Sequence, residues 1–340
     1  MMIEARFYRK LEDDKVRCLL CPHHCLIGPG KRGLCGVREN NGGVLYSLVY
    51  RKVISSHVDP IEKKPFFHFL PGSTSFSIAT VGCNLSCRFC QNSDISQANK
   101  EMAEICGYDL SSVEVVRQAK QAGCLSVSYT YTEPTVFFEY AFDTAVLAKK
   151  EGLANSFVTN GYIEAEPLKA VAPYLDAANV DLKSFREEYY RKICGASLRP
   201  VLDTLVLMKE RKLWVEVTTL VLPDQNDSNA ELRDIAFFIR DNLGSETPWH
   251  ISRFFPRYRM DDSPPTPPET IDRARRIGLD AGLQFVYSGN LIGGSGESTF
   301  CPNCGKTVIS RFGCTVTENR MRGGSCSFCG TEIAGVYSNF

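Results

Sequence analysis

The sequence predicts an α/β fold: a (βα) barrel or partial TIM barrel over residues 71–292. A cysteine-rich metal module and linker at 1–70 precede it, and a zinc ribbon at 298–340 follows it. Three observations support this organisation. From Phe76 to Tyr287, short apolar runs alternate with stretches of helical periodicity, which implies βαβ units on a parallel sheet. Twelve of the fifteen cysteines fall within three short stretches, eleven of them at ligand-like spacing and Cys314 between the last two pairs, a usage that points to metal ligands. The last group lies in a tail of about forty residues, too short to bury a sufficient core, so bound metal must supply stability there.

Composition excludes some partners. Lysine plus arginine equals aspartate plus glutamate, 39 each in 340 residues, so no global field selects nucleic acid or an anionic membrane. Met1 to Lys15 carries four basic and four acidic residues with no apolar stretch, which argues against a secretory signal. No uncharged run reaches the roughly 18 apolar residues of a membrane span. The expected location is cytoplasmic.

The first group is Cys18, Cys21, Cys25 and Cys35, spaced C-x2-C-x3-C-x9-C with glycines and a proline in the last interval. Four thiolates here can close a tetrahedral site. Zinc is the first expectation and an auxiliary iron–sulfur cluster the alternative, because softness and geometry of the ligand set do not separate them. His23 and His24 are expected near that site rather than in it. Val44 to Ile54 reads as two short strands on which the module packs. Asp59-Pro-Ile-Glu-Lys-Lys-Pro65 and the aromatics up to Gly72 suit equally a binding segment and an ordered linker.

The second group is Cys83, Cys87 and Cys90, spaced C-x3-C-x2-C directly after the apolar run Phe76 to Ala79. Three thiolates with no fourth beside them suit a [4Fe-4S] cluster whose fourth iron stays open to a small molecule. A zinc knuckle or an electron-carrying cluster would be closed by four ligands.

With Phe89 before its third cysteine, this motif resembles the signature of the radical S-adenosylmethionine (radical SAM) enzymes. The wider order narrows the likeness. A four-cysteine module, then Asp59-Pro-Ile-Glu-Lys-Lys-Pro, His68-Phe-Leu-Pro-Gly and Gly82-Cys-Asn-Leu-Ser-Cys-Arg-Phe-Cys-Gln-Asn is similar to the AmmeMemoRadiSam-system radical SAM enzymes. These are relatives of the pyruvate formate-lyase activating enzymes, and the likeness runs from about Arg17 to Asn290. It implies an oxidoreductase in which a [4Fe-4S] cluster on Cys83, Cys87 and Cys90 cleaves SAM to a 5′-deoxyadenosyl radical that abstracts hydrogen from substrate. It also implies an electron donor such as flavodoxin or ferredoxin. The substrate would be a protein glycine, a small molecule, or a protein linked to Memo or AMMECR-type partners.

After the cluster loop the patterns predict helices near 111–122, 135–150, 164–172, 201–211, 230–242 and 269–281. Strands are predicted at 125–131, 156–159, 177–182, 213–221, 250–254 and 284–287. In a barrel the active site lies at the C-terminal strand ends, which singles out particular residues. Glu133 begins a helix, where an acid suits the dipole. The resemblance makes it a contact to the ammonium of SAM, although Tyr131 and Thr132 stand where the family carries glycines. Asn160 could reach a ribose. Asp181 and Lys183, two apart on a strand, point to the same side; as residues alone they suit an internal ion pair, and the resemblance places them around SAM. Glu216, Thr218, Thr219, His250, Ser252 and Arg253 are expected to line a pocket or to be satisfied core polars. Arg253, Arg257 and Arg259 among aromatics could hold an anionic or peptide substrate. Pro268 should start the last helix.

The tail carries Cys301, Cys304, Cys326 and Cys329, spaced C-x2-C-x21-C-x2-C with a glycine after each pair, the signature of a zinc ribbon. Arg311, Arg320 and Arg322 give weak grounds for nucleic-acid contact. Cys314 is a spare, and Cys106, Cys124 and Cys194 read as small buried hydrophobes. The competing class is a non-catalytic, metal-dependent module that binds protein or nucleic acid.

Overall fold

The computed structural model describes residues 2–101, 104–291 and 293–337. Position 292, the expected end of the barrel, and the extreme ends at 1 and 338–340 lie outside the described residues.

One eight-stranded sheet organises the molecule. Its strands in chain order are β1 (Ser55–Pro60), β2 (Thr74–Ala79), β3 (Ser126–Tyr129), β4 (Ala154–Thr159), β5 (Ala177–Asp181), β6 (Trp214–Val221), β7 (Trp249–Arg253) and β8 (Val286–Gly289). β1 is antiparallel to β2, and each later neighbour pair is parallel. The longest connections carry α1 (Ser112–Gln121), α2 (Phe138–Lys150), α3 (Ala165–Val171), α4 (Leu198–Glu210), α5 (Asn229–Phe238) and α6 (Pro268–Asp280). Ser111 and Ser228 cap α1 and α5 by accepting the N–H of Glu114 and Glu231, each in a Ser-x-x-Glu box. Pro268 does open α6.

Spatial order equals chain order, so successive units curl the sheet one way. The barrel stays open: β1 and β8 are its two edges and do not pair. Alternation along the strands explains the layers. Ile78, Val127, Phe157, Val180, Val217 and Ile251 are buried in the main core with the helices. The opposite parity carries Ser75, Ser128, Ser156, Asn179, Glu216 and His250, also buried. These polar groups satisfy one another: Ser75 Oγ lies 2.6 Å from Ser128 Oγ, which lies 2.8 Å from Ser156 Oγ.

The gap is filled by the segment between β1 and β2. Ile61, Phe66, Phe69 and Leu70 pack with Ala177 at the start of β5. Glu216 then fixes the segment by accepting the N–H groups of Phe67 and His68 at 3.0 and 2.9 Å. The stretch is therefore a plug, not a connector. The pair of strands assigned to the metal module is corrected in the same way. Val44–Ser47 belongs to it, pairing with Ile3–Glu4 and Arg38–Asn41, but the second strand, Lys52–Val53, pairs with Tyr108–Asp109 outside the module, and the chain then runs into Ser55–Pro60 at the edge of the main sheet. The module docks on α2, where Arg6 N–H and the buried Arg38 both reach Glu139 and Phe7 meets Phe138 edge-on.

The tail forms β9 (Thr299–Phe300), β10 (Thr307–Phe312) and β11 (Thr315–Asn319). Nucleic-acid contact through Arg311 is overturned: its side chain is fully buried beside Glu62 and donates to Thr299 Oγ1 and Phe67 O, each at 2.8 Å. Val308, Ile309 and Ile333 share a core with Phe67, Phe285 and Tyr287. The ribbon is thus packed against the plug. No helix among the described residues is long and apolar enough to cross a membrane.

His68 joins plug, sheet and ribbon, bonding Ala334 O at 2.7 Å and Tyr287 Oη at 2.6 Å. Burial pushes its imidazole down to about 4. Between roughly pH 6.5 and 4 the unfolded chain takes up a proton here that the folded chain does not, so this group costs stability as pH falls through that window. The full loss is about 3 kcal/mol. Anaerobic urea titrations at stepped pH should show that slope in the natural protein and a shallower one in His68→Asn; equal slopes would refute the buried, neutral assignment.

Candidate active site

The cluster loop leaves β2 at the C-terminal edge of the sheet and is held by backbone bonds. Ser86 and Arg88 donate their N–H groups to Cys194 O and Ile193 O at 2.8 and 3.0 Å. Those carbonyls lie in a π-helical turn, Tyr190–Cys194, a distortion often found at functional sites. Leu85 N–H points at Cys83 Sγ (3.4 Å), Asn160 Nδ2 lies 3.6 Å from the same sulfur, and Ser96 Oγ is 3.2 Å from Cys90 Sγ. Hydrogen bonds of this kind tune a thiolate-bound metal. Burial pushes the Cys83 and Cys90 thiols upward. Cys87 is raised by the adjoining Cys194 thiol and by burial, so Cys194 is buried as expected but touches the site.

The three cysteines open into a cavity of about 540 Å³ at the C-terminal strand ends, lined also by Glu133, Asn160, Asp181 and Lys183. All seven residues expected at the cofactor site therefore meet in one place. Lys183 Nζ pairs with Asp181 at 2.8 Å and sits 5.8 Å from the centre of the Phe89 ring. Burial opposes its charge, but Asp181 and the neighbouring sulfurs of Cys87 and Cys194 hold it well above the usual lysine range. A fixed cation beside three thiolates favours an anionic centre.

Glu133 combines both of its readings. Its Oε1 accepts from Thr135 N (2.9 Å), Thr135 Oγ1 (2.6 Å) and Thr159 Oγ1 (2.8 Å), and Oε2 accepts from Asn160 N (2.8 Å). It starts the turn before α2 as an acid should and still lines the cavity. Burial pushes it upward against these four donors.

The linker supplies the rim. Lys63, Lys64 and Tyr131 line the cavity. Asp59 pairs with Lys63 at 2.8 Å and Lys64 at 2.7 Å and accepts from Tyr131 Oη. Lys64 Nζ lies 3.8 Å from the centre of the Tyr131 ring, and burial pushes it down to about 8 against the pull of Asp59. Tyr131 has φ = 63°, a left-handed conformation costing a bulky residue of order 1 kcal/mol. The glycine-like backbone thus persists without glycine, anchored by the phenol. Proximity of two lysines to aromatics was the available signal; that they face the cluster loop was not readable.

Other expected pocket residues divide. Thr218 and Ser252 line the cavity. Glu216 and His250 do not: they bond at 2.6 Å beneath the plug. Thr219 bonds Trp249 and Leu182 O, and Arg253 donates to Thr266 O, so these are satisfied structural polars. The segment beyond Arg253 rests on the cluster loop through Arg259 N–H to Arg88 O and Gln91 Nε2 to Phe255 O. Cys124 is buried, but Cys106 is exposed, contrary to expectation.

The ribbon cysteines Cys301, Cys304, Cys326 and Cys329 bring their sulfurs within 4.8 Å of one another. Cys18, Cys21, Cys25 and Cys35 instead surround a separate, largely enclosed cavity. His23 bonds Asn84 O and His24 pairs with Glu164.

A profile of the Radical SAM superfamily matches residues 77–238. An uncharacterised protein of Methanocaldococcus jannaschii is 48% identical over 334 residues, 98% of this chain and 99% of that one. The (2S)-3-sulfopropanediol dehydratase activating enzyme of Klebsiella oxytoca is 24% identical over 114 residues, 34% of this chain and 36% of its own length. Among solved structures, Streptococcus suis SuiB bound to S-adenosylmethionine superposes with TM-score 0.51 at 14% identity, over 68% of this chain and 53% of that one, a likeness of fold.

Because Glu133 satisfies buried donors on two strand ends, Glu133→Ala should lower unfolding free energy by roughly 2–3 kcal/mol. Glu133→Gln, which keeps an acceptor, should lose less. Anaerobic denaturation of both variants checks this, and an unperturbed alanine variant would show that the carboxylate braces nothing.

Proposed function

The chain belongs to the radical SAM superfamily, and we propose that it is an enzyme that cleaves S-adenosylmethionine at a [4Fe-4S] cluster held by Cys83, Cys87 and Cys90. The observation that carries this reading is the meeting of three unbridged cysteines with Glu133, Asn160, Asp181 and Lys183 in one cavity. The donor set fits: three sulfurs, no fourth cysteine among the cavity residues, and a buried cation beside them. When bound, the cluster supplies the electron that splits the sulfonium into methionine and a 5′-deoxyadenosyl radical for hydrogen abstraction.

The chain's own residues hold and shield. Glu133 Oε2, with a single protein donor, keeps capacity to accept from the ammonium of SAM. Asn160 is braced by Glu133 and touches Cys83, coupling the cofactor contact to the cluster loop. Asp181 and Lys183 offer both charges to a zwitterionic ligand. Lys64 and Tyr131 cover one side of the cavity, and limiting water there protects a reactive radical. The electron would come from a flavodoxin or ferredoxin. Similarity to a dehydratase activating enzyme favours a protein glycine as substrate; Memo or AMMECR-type partners follow from the likeness to the AmmeMemoRadiSam system. The ribbon cysteines suit one structural zinc, since four thiolates leave no open position. Family membership displaces the non-catalytic binding module.

Anaerobically reconstituted protein should release 5′-deoxyadenosine from SAM when reduced, and changing Cys83, Cys87 and Cys90 together to Ala should abolish this while sparing the ribbon zinc. Persistent cleavage by that variant would refute the site. Glu133→Gln should weaken SAM binding by roughly ten- to a hundred-fold with iron at that site retained. Equilibrium binding that leaves affinity unchanged would restrict Glu133 to its structural role.

A further inference from the structure

We infer that Cys18, Cys21, Cys25 and Cys35 hold a second iron–sulfur cluster, of the four-iron type, rather than zinc. The chain contains its own standard for a zinc site. In the ribbon, Cys301 and Cys329 place their sulfurs 3.6 Å apart and Cys304 and Cys326 3.8 Å apart. Zn–S bonds of about 2.3 Å in a tetrahedron require sulfur separations of about 3.8 Å. Each ribbon pair also closes the turn that wraps a single ion: Gly305 N–H bonds Cys301 O, and Gly330 N–H bonds Cys326 O, each at 2.9 Å.

The N-terminal set is built differently. Among the described residues, only the ribbon brings three or more such ligand atoms within 4.8 Å of one another. No three of the four N-terminal sulfurs lie within 4.8 Å of one another, as is also true of Cys83, Cys87 and Cys90, yet all four cysteines line one cavity. A single ion cannot bridge sulfurs held apart in this way. A cluster can, because each thiolate binds a different iron of a polyatomic core. The turn after Cys21 has Pro22 where each ribbon turn has glycine.

A second observation favours an anionic occupant; a four-thiolate zinc site would be anionic too, so Arg38 argues for a filled site and the sulfur spacing argues for a cluster. Arg38 lines the cavity, is 1% exposed, and has Nε and Nη1 without a partner, while Nη2 is taken by Arg6 O and Glu139. Buried guanidinium N–H groups left unpaired are costly. A thiolate-ligated cluster supplies negative charge and sulfur acceptors at that place. Glu139 alone balances the cation in the protein, which leaves Arg38 free to serve both. The site also abuts the first one: Asn84, which follows Cys83, lines this cavity, and its carbonyl accepts from His23 Nε2 at 2.7 Å.

The inference stands on this module and does not rest on the reading of the Cys83 site. Metal and acid-labile sulfide are measured on full-length protein purified and reconstituted anaerobically. About eight irons and one zinc per chain are expected, falling to about four irons when Cys83, Cys87 and Cys90 are changed to Ala, with the absorption and reduced-state EPR of a [4Fe-4S] centre retained. Two zincs per chain and no iron in that variant overturn the inference. If the Cys83 site instead failed to hold a cluster, the natural protein and the variant would contain the same four irons. Changing Cys18, Cys21, Cys25 and Cys35 to Ala should remove about four irons and leave one zinc. Should that variant not fold, the count on the natural protein still decides: about four irons with two zincs refutes a second cluster.

Discussion

Glu216 sits at the centre of what the sheet cannot do for itself. An open curl of parallel strands presents a polar inner face, and its lower end must be closed without water. The Glu216 carboxylate accepts from Phe67 N, His68 N, Trp214 Nε1 and His250 Nε2, which fastens residues 61–72 across the opening. Such a fully buried carboxylate is tolerable only because every lone-pair direction is used. From that anchorage Lys63 and Lys64 are carried to the cavity rim, and Phe67 and His68 are presented to the ribbon. The ribbon returns the contact through Arg311, which grips Phe67 O beside Glu62.

The upper end of the same sheet is organised by strand ends that brace one another. Thr135, in the turn before α2, and Thr159 and Asn160, at the end of β4, converge on Glu133. Asn84, in the cluster loop, donates to Tyr162 O and accepts from Asn160. Gly161 makes this closeness possible: at φ = 70° a side-chain carbon there would stand 2.9 Å from Val180. The loop is thereby held from one side by β4 and from the other by the π-turn that ends at Cys194. Positioning by rigid elements on both sides is what the proposed radical chemistry would require.

The metal modules divide the work unequally. The ribbon brings its sulfurs together and packs its small core against Phe285 and Tyr287, so an ion held there would serve cohesion. The N-terminal module spreads its sulfurs around a cavity that borders the cluster loop, with a buried arginine turned to it. Equal cysteine counts thus give different geometries, and the difference lies in the spacing of sulfurs in space.

Much was legible from residue order. The alternation of apolar periods located the strands and helices from Ser112 to Val286 to within a few residues, because local periodicity reflects which face each element buries. The C-x3-C-x2-C spacing located the cluster loop, and strand-end logic together with the family resemblance picked out Glu133, Asn160, Asp181 and Lys183, which do share a cavity. Long-range contacts were decided only by the tertiary structure. Nothing local distinguishes a plug from a linker at 61–72, since its aromatics acquire meaning only against Ala177 and Glu216. Arg311 read as a surface charge because its partners lie far away in the chain, and Glu216 and His250 read as pocket residues because inward-facing parity does not say how deep a residue sits. Cysteine spacing likewise fixes which thiols can meet, while the folded backbone sets how far apart their sulfurs are held, and that distance selects between one ion and a cluster.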